Sequence, residues 1–242
     1  MSEFKLPTET IELPSKGLLY AEDSELSKGI IEIKYMTAKE EDILTNQSYI
    51  KDGIVLDKLM KSLIVSKINY NDLLIGDKNA IMVASRVLGY GSKYKFTYLG
   101  EEQEIDLASV ENKEIKEELF KDRVNDFSFT LPHSKNQITF KFLTHKDEQD
   151  ITRELKGLKK INKDNNPSLT TRLKYLITSV EGKTDIKDIR NFVDNYLLAK
   201  DSRALREHIK KIQPDVDLTF FPNGEYEKVN IPIGLNFFWP DV

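Results

Sequence analysis

The chain has 242 residues, a formal net charge of −4 and no cysteine, which excludes disulfides, thiolate catalysis and cysteine-based zinc sites. At 39% hydrophobic and 10% aromatic residues it carries enough apolar matter for a core, so global disorder is excluded too. The mildly acidic balance argues against a general nucleic-acid binder, which needs a Lys/Arg surplus to neutralise phosphates.

The N-terminus, MSEFKLPTETIELPS, is polar and lacks the apolar stretch of a signal sequence. No apolar run approaches the roughly 20 residues that span a bilayer, so a soluble cytoplasmic protein is expected. Leu13-Pro14-Ser15-Lys16-Gly17 reads as a turn. Residues 30–35 alternate Ile31, Ile33 and Tyr35 against Glu32 and Lys34, the period of a half-buried strand. A helix is expected from about Ala38, with Thr37 as N-cap and Glu40 at the capping-box position. A second helix is expected over 56–68, with Leu56, Leu59, Met60, Leu63 and Ile64 on one face. A third has Asp77 as its N-cap and Gly89 as its stop. Segments 93–98 and 103–107 then form a hairpin around 99–102.

The order repeats downstream. Leu131-Pro132-His133-Ser134 parallels the first turn, and Ile138, Phe140 and Phe142 alternate as a strand. Thr144 caps a helix with Asp147 three residues on. Helices follow over 168–180 and 185–198, and Asp201 caps another that ends before Pro214. Phe220 and Phe221 lie in a strand, 223–225 is a turn, and 229–233 returns. Asp77 aligns with Asp201, and Gly100-Glu101 with Gly224-Glu225. The expected fold class is therefore α+β, with two related copies, each strand, helices and β-hairpin, from an internal duplication. Residues 1–110 form the first copy and 126–242 the second. The charged run within 111–125 is expected to be a solvated helical joint.

The acids beside the two caps, Glu40, Glu41 and Asp42 with Asp147 and Glu148, raise a chemical reading. Paired carboxylates serve as general acid and base or bind a hard cation. The capping reading explains Thr37, Glu40, Thr144 and Asp147 together, so Thr37, Glu40, Asp77, Thr144, Asp147 and Asp201 are read as structural caps. A carboxylate-dependent hydrolase or nuclease is the alternative. A nucleic-acid accessory role through Lys156, Lys159, Lys160 and Lys163 is a third reading, against that of a solvated loop face. Gly89-Tyr90-Gly91 completes no phosphate-binding motif. His133, His145 and His208 are too scattered for a metal site, with His145 expected at the surface and His208 at the edge of the core. No catalytic residue, metal or cofactor is assigned. The candidate partner-binding residues are Tyr20 and Leu26 in the loop 20–29, and Phe237, Phe238 and Trp239 in the C-terminal aromatic tail. For that tail, closure of the C-terminal core is preferred to docking on a partner, because an apolar terminus frays unless it is buried.

Several stretches carry a family resemblance. They are LPSKGLLY, then IEIKYMTAKEEDILTNQSYIKDGIVLDKLMKSLIV, then NDLLIGDKNAIMVASRVLGYGSKYKFTY. In the second half they are LTHKDEQDITRELKGLKKI, RNFVDNYLLAKDSRALREHIKKIQPDVDLTFF and IPIGLNFFWPD. Together they resemble the baseplate hub subunits, or hub assembly proteins, of T-even-type contractile-tailed bacteriophages, from about Ile11 onward. The resemblance implies a non-enzymatic tail protein that takes part in assembly of the central baseplate hub by binding other hub proteins. It implies no small-molecule substrate, nucleic acid or membrane. It places the protein in the cytoplasm of the infected bacterium or in the virion baseplate. Whether it is retained as a subunit or released as a chaperone, and whether it oligomerises, stays open. Wider relatives carry a Cys-x-x-Cys zinc knuckle where this chain has Leu99-Gly100-Glu101-Glu102, so a zinc-stabilised hairpin tip is not carried over.

Overall fold

The computed structural model describes residues 6–161, 167–222 and 227–238. Among them the chain forms eight α-helices and four small antiparallel sheets, a mixed α+β fold. Strand β1 (Thr8–Glu12) pairs with β2 (Ile30–Lys34), Thr8 facing Lys34 and Glu12 facing Ile30. The alternation in β2 does what its pattern dictates, sealing Ile31 and Ile33 in the core.

Three helices follow: α1 (Ala38–Leu44), α2 (Gln47–Asp52) and α3 (Val55–Leu63). The expected helix over 56–68 stops early because Ile64 leaves it to bridge Ile33 of β2. Helix α4 (Ile75–Tyr90) runs through Gly89, which packs against the Met36 side chain, and ends at Gly91. Gly89 is therefore interior, and the stop falls two residues later than expected. Strands β3 (Lys93–Tyr98) and β4 (Glu101–Asp106) form a tight hairpin. Its two turn residues, Leu99 and Gly100, both take positive φ, the backbone of a type I′ turn.

In the second half β5 (Phe127–Thr130), β6 (Gln137–Phe140) and β7 (Ile177–Val180) make one sheet in that order. Between β6 and β7 lie α5 (His145–Ile161) and α6 (Ser168–Leu176). The helix expected over 168–180 again gives way after its Leu-Ile stripe, and Ile177–Val180 pairs with β6. Helices α7 (Ile186–Asn195) and α8 (Ala199–Ile212) lead to the short pair β8 (Thr219–Phe220) and β9 (Val229–Asn230). The expected turn at 223–225 lies outside the described residues.

The joint is not a helix. Within 111–125 one 3-10 turn forms, Glu117–Phe120, and its Phe120 is fully buried against Phe127 and Phe142. Upstream, Lys113 N–H donates to Asp215 O and Asp217 N–H to Glu111 O, both at 2.8 Å. The charges dominate that run, but one aromatic and one backbone pairing decide its path.

A single hydrophobic cluster runs through both halves. Gly76, at the start of α4, meets the chain just after α8 so closely that a Cβ would lie 1.9 Å from Pro214 O. Leu74 bridges Thr144, His145 N–H donates to Leu73 O at 2.7 Å, and Ile75 N–H to Leu143 O at 3.1 Å.

Candidate functional site

Of the acids most open to a chemical reading, the two at the capping-box positions, Glu40 and Asp147, are tied down, while Glu41 and Asp42 are exposed. Thr37 sends its backbone N–H (3.0 Å) and its hydroxyl (2.6 Å) to Glu40 Oε2. The other oxygen, Oε1, takes Lys34 Nζ at 2.8 Å and Ser62 Oγ at 2.7 Å. Glu40 is wholly buried. Burial alone would raise its pKa, but the Lys34, Ser62 and Thr37 bonds to the anion outweigh that and lower it to about 2. The second half repeats the device. Thr144 donates N–H and hydroxyl to Asp147 Oδ2, both at 2.9 Å, and Lys141 Nζ reaches Oδ1 at 2.7 Å. Asp147 N–H returns a bond to Thr144 Oγ1 at 3.3 Å, completing a capping box.

Asp77 and Asp201 are not N-caps. Helices α4 and α8 begin two residues earlier, with Leu74 and Leu198 in the cap positions. Both aspartates are third helical residues, fully buried, and they serve a distant turn instead of their own helix. Asp77 accepts Ser15 N–H (2.9 Å), Ser15 Oγ (2.7 Å) and Tyr20 Oη (2.5 Å). Asp201 accepts His133 N–H (2.8 Å) and Ser134 N–H (2.9 Å). Burial dominates at Asp77, which has no ion-pair partner among the described residues, and raises its pKa despite those bonds. At Asp201 burial also pulls upward, but the two backbone donors overcome it and hold the pKa below the ordinary value.

The candidate docking loop is corrected. Tyr20 and Leu26 are core residues, 5% and 0% exposed. The reason is visible at Tyr20: its hydroxyl donates to Asp77 and accepts Leu74 N–H at 2.9 Å, which draws the ring inward. In the tail, the core-closure reading holds and the docking reading does not: Phe237 and Phe238 are fully buried, and Phe237 closes against the first half. Phe237 sits edge-on to Tyr94 at 4.9 Å, and its carbonyl accepts Arg86 Nε at 2.7 Å. Trp239 lies outside the described residues.

Sequence reasoning missed His145. It is 1% exposed, not at the surface, and sits edge-on to Tyr70 at 4.5 Å. Lys78 Nζ lies 3.3 Å from its Nδ1, and Asp57 Oδ2 lies 3.7 Å from its Nε2. Lys78 also bonds Asp57 Oδ1 at 2.6 Å. Burial, then the Lys78 charge, lower the imidazole pKa to about 4 against the pull of Asp57. This cluster joins residues of α3 and α4 to the first residue of α5 and lines a groove of 800 Å³. His208 sits as expected, partly buried and stacked on Phe129 at 4.6 Å. Lys156, Lys159 and Lys160 are on α5 and not on a loop, while Lys163 lies outside the described residues.

Among the described residues no three His, Asp or Glu side chains gather as a cation site would require. No helix among them is long and apolar enough to cross a membrane. Two further clefts meet at Glu12 and Asn112. One of 310 Å³ lies along β1 and α4, and one of 580 Å³ opens beyond the Leu13-Pro14 turn. No protein-family model, curated protein or solved structure matches the chain.

Proposed function

We propose that the chain is a non-enzymatic protein of a contractile phage tail, acting in assembly of the central baseplate hub by binding other hub proteins in the infected cell. The hub assignment rests on the resemblance of the stretches quoted above. One observation supports the non-enzymatic part: the two acids at the centre of the catalytic reading, Glu40 and Asp147, are bound into the fold. Both Glu40 oxygens are occupied by partners within the fold, and Asp77 and Asp201 each hold a turn more than 60 residues away. A hydrolase or nuclease needs carboxylates free to meet substrate or cation, so the same ties weigh against that alternative.

We further infer that the two halves arose by duplication. The support is a shared pattern of bonds. In each half a Lys at the end of the second strand (Lys34) or just past it (Lys141), a Thr cap and a third-residue acid close on one another. In each half a later helix also returns a third-residue aspartate to the turn after the first strand.

The functional test is genetic. Silencing this reading frame in the phage that encodes it is expected to yield baseplates without a central hub by electron microscopy, restored by the wild-type protein supplied in trans. Complete, infective baseplates in its absence would refute the proposal.

A further inference from the structure

Among the described residues strand β1 has one partner, β2, and no strand pairs with its other edge. The register fixes which backbone groups face outward. Tyr35 N–H donates to Pro7 O and Leu13 N–H to Gly29 O, so residues 7, 9, 11 and 13 turn their peptide groups toward β2. Thr8, Thr10 and Glu12 therefore turn theirs away, and Thr10 and Glu12 make no backbone hydrogen bond to any described residue.

The 310 Å³ cleft follows this edge. It is lined by four consecutive β1 residues, Glu9 to Glu12, and by no residue of β2. Its floor is the stripe Ala80, Val83, Ala84, Val87 and Leu88 of α4, spaced as one helix face, and Val110 and Val216 close the far side. A row of unspent peptide groups beside an apolar floor is what an added strand uses: main-chain bonds supply affinity, and alternate side chains fill the floor. The charge on the wall is one-signed. Glu9 meets only the Tyr35 hydroxyl, at 3.1 Å, and neither Glu9 nor Glu12 has an ion-pair partner among the described residues.

We propose that this slot receives an extended segment of a partner protein, with apolar residues at alternate positions and Lys or Arg flanking them, which adds to the open edge of β1. This rests on the reading of the chain as a binding protein, and it names the surface and the chemistry of the partner segment.

The test uses the full chain and a fluorescein-labelled peptide, Lys-Val-Thr-Val-Thr-Val-Lys, followed by fluorescence polarisation. Thr10→Pro deletes the outward N–H without touching a β1–β2 bond, a change that edge strands accept. Thr10→Val keeps the N–H. The peptide is expected to bind the wild type and Thr10→Val within about twofold, and Thr10→Pro about tenfold more weakly, the effect of losing a backbone hydrogen bond or two. Glu9→Lys with Glu12→Lys should weaken binding similarly, and more so at low salt. Circular dichroism melting checks that each variant is folded. Absent binding, or equal binding to folded Thr10→Pro, would overturn the proposal. So would a wild-type dimer in light scattering that Thr10→Pro dissolves, because the occupant would then be a second copy. If hub proteins co-purify equally with wild type and Thr10→Pro, the slot fails while the assembly role stands. If the peptide binds and no hub protein does, the slot stands while the assembly role fails.

Discussion

Glu40 and His145 show at the residue scale how burial and partners decide what a charge does. Both pKa values are depressed, Glu40's by partners that favour its charge and His145's by burial and a neighbouring cation that resist one, so both make the fold sensitive to acid. Glu40 is held to about 2, below its ordinary 4.5, so its contribution is complete above pH 4.5 and is lost as the pH falls toward 2. His145 is held to about 4, below 6.5, because the buried ring beside Lys78 resists a proton. The unfolded chain binds that proton more readily, so stability is complete above pH 6.5 and declines as the pH falls toward 4. Urea unfolding at pH 7.5 and pH 4.5 is expected to show a loss on the order of 2 kcal/mol. Most of that loss should vanish in His145→Gln, and an unchanged pH slope in that variant would contradict the assignment. Glu40→Gln is expected to cost about 2–3 kcal/mol at pH 7.5, since it leaves Lys34 and two hydroxyl donors poorly matched. Exposed Asp42→Asn should stay within about 0.5 kcal/mol.

Among the elements, the device that matters is a helix whose first turn serves another segment. Asp201 belongs to α8 but secures the turn between β5 and β6 by accepting two of its backbone donors. Asp201→Ala should therefore leave α8 formed and loosen that turn. Hydrogen exchange should quicken at the amides of His133 and Ser134, with little change along residues 205–212. Loss of protection throughout α8 would mean that Asp201 acts as a helix cap after all. This also shows what was legible in the sequence. Thr37–Glu40 and Thr144–Asp147 were readable because both partners lie within one helical turn. Asp77 and Asp201 were visible as paired positions, but their roles were not, because their partners lie 57 to 68 residues away. The strand ends after α3 and α6 were hidden in continuous Leu-Ile stripes, where periodicity alone does not separate a helix end from a buried strand. Strand β1 was missed because its side chains are mostly exposed and polar.

At the scale of the whole molecule, the halves share one core. The first lends Tyr20 and Asp77 to its own closure and Arg86 to the C-terminal tail. The second returns Phe237 to the hairpin of the first and seats the chain after α8 against Gly76. The loop was expected at the surface and the tail either in the core or on a partner; each found a polar anchor inside, Asp77 for Tyr20 and Arg86 for the Phe237 carbonyl. The exterior carries clefts at the seams between the halves. The proposal that the chain works by contact with baseplate hub proteins is tested most directly by size-exclusion chromatography of this chain co-expressed with each hub protein of a T-even-type phage. The predicted result is a complex of defined stoichiometry with at least one hub protein, unaffected by Asp42→Asn. Elution of this chain alone from every mixture, at micromolar concentration and low salt, would contradict it.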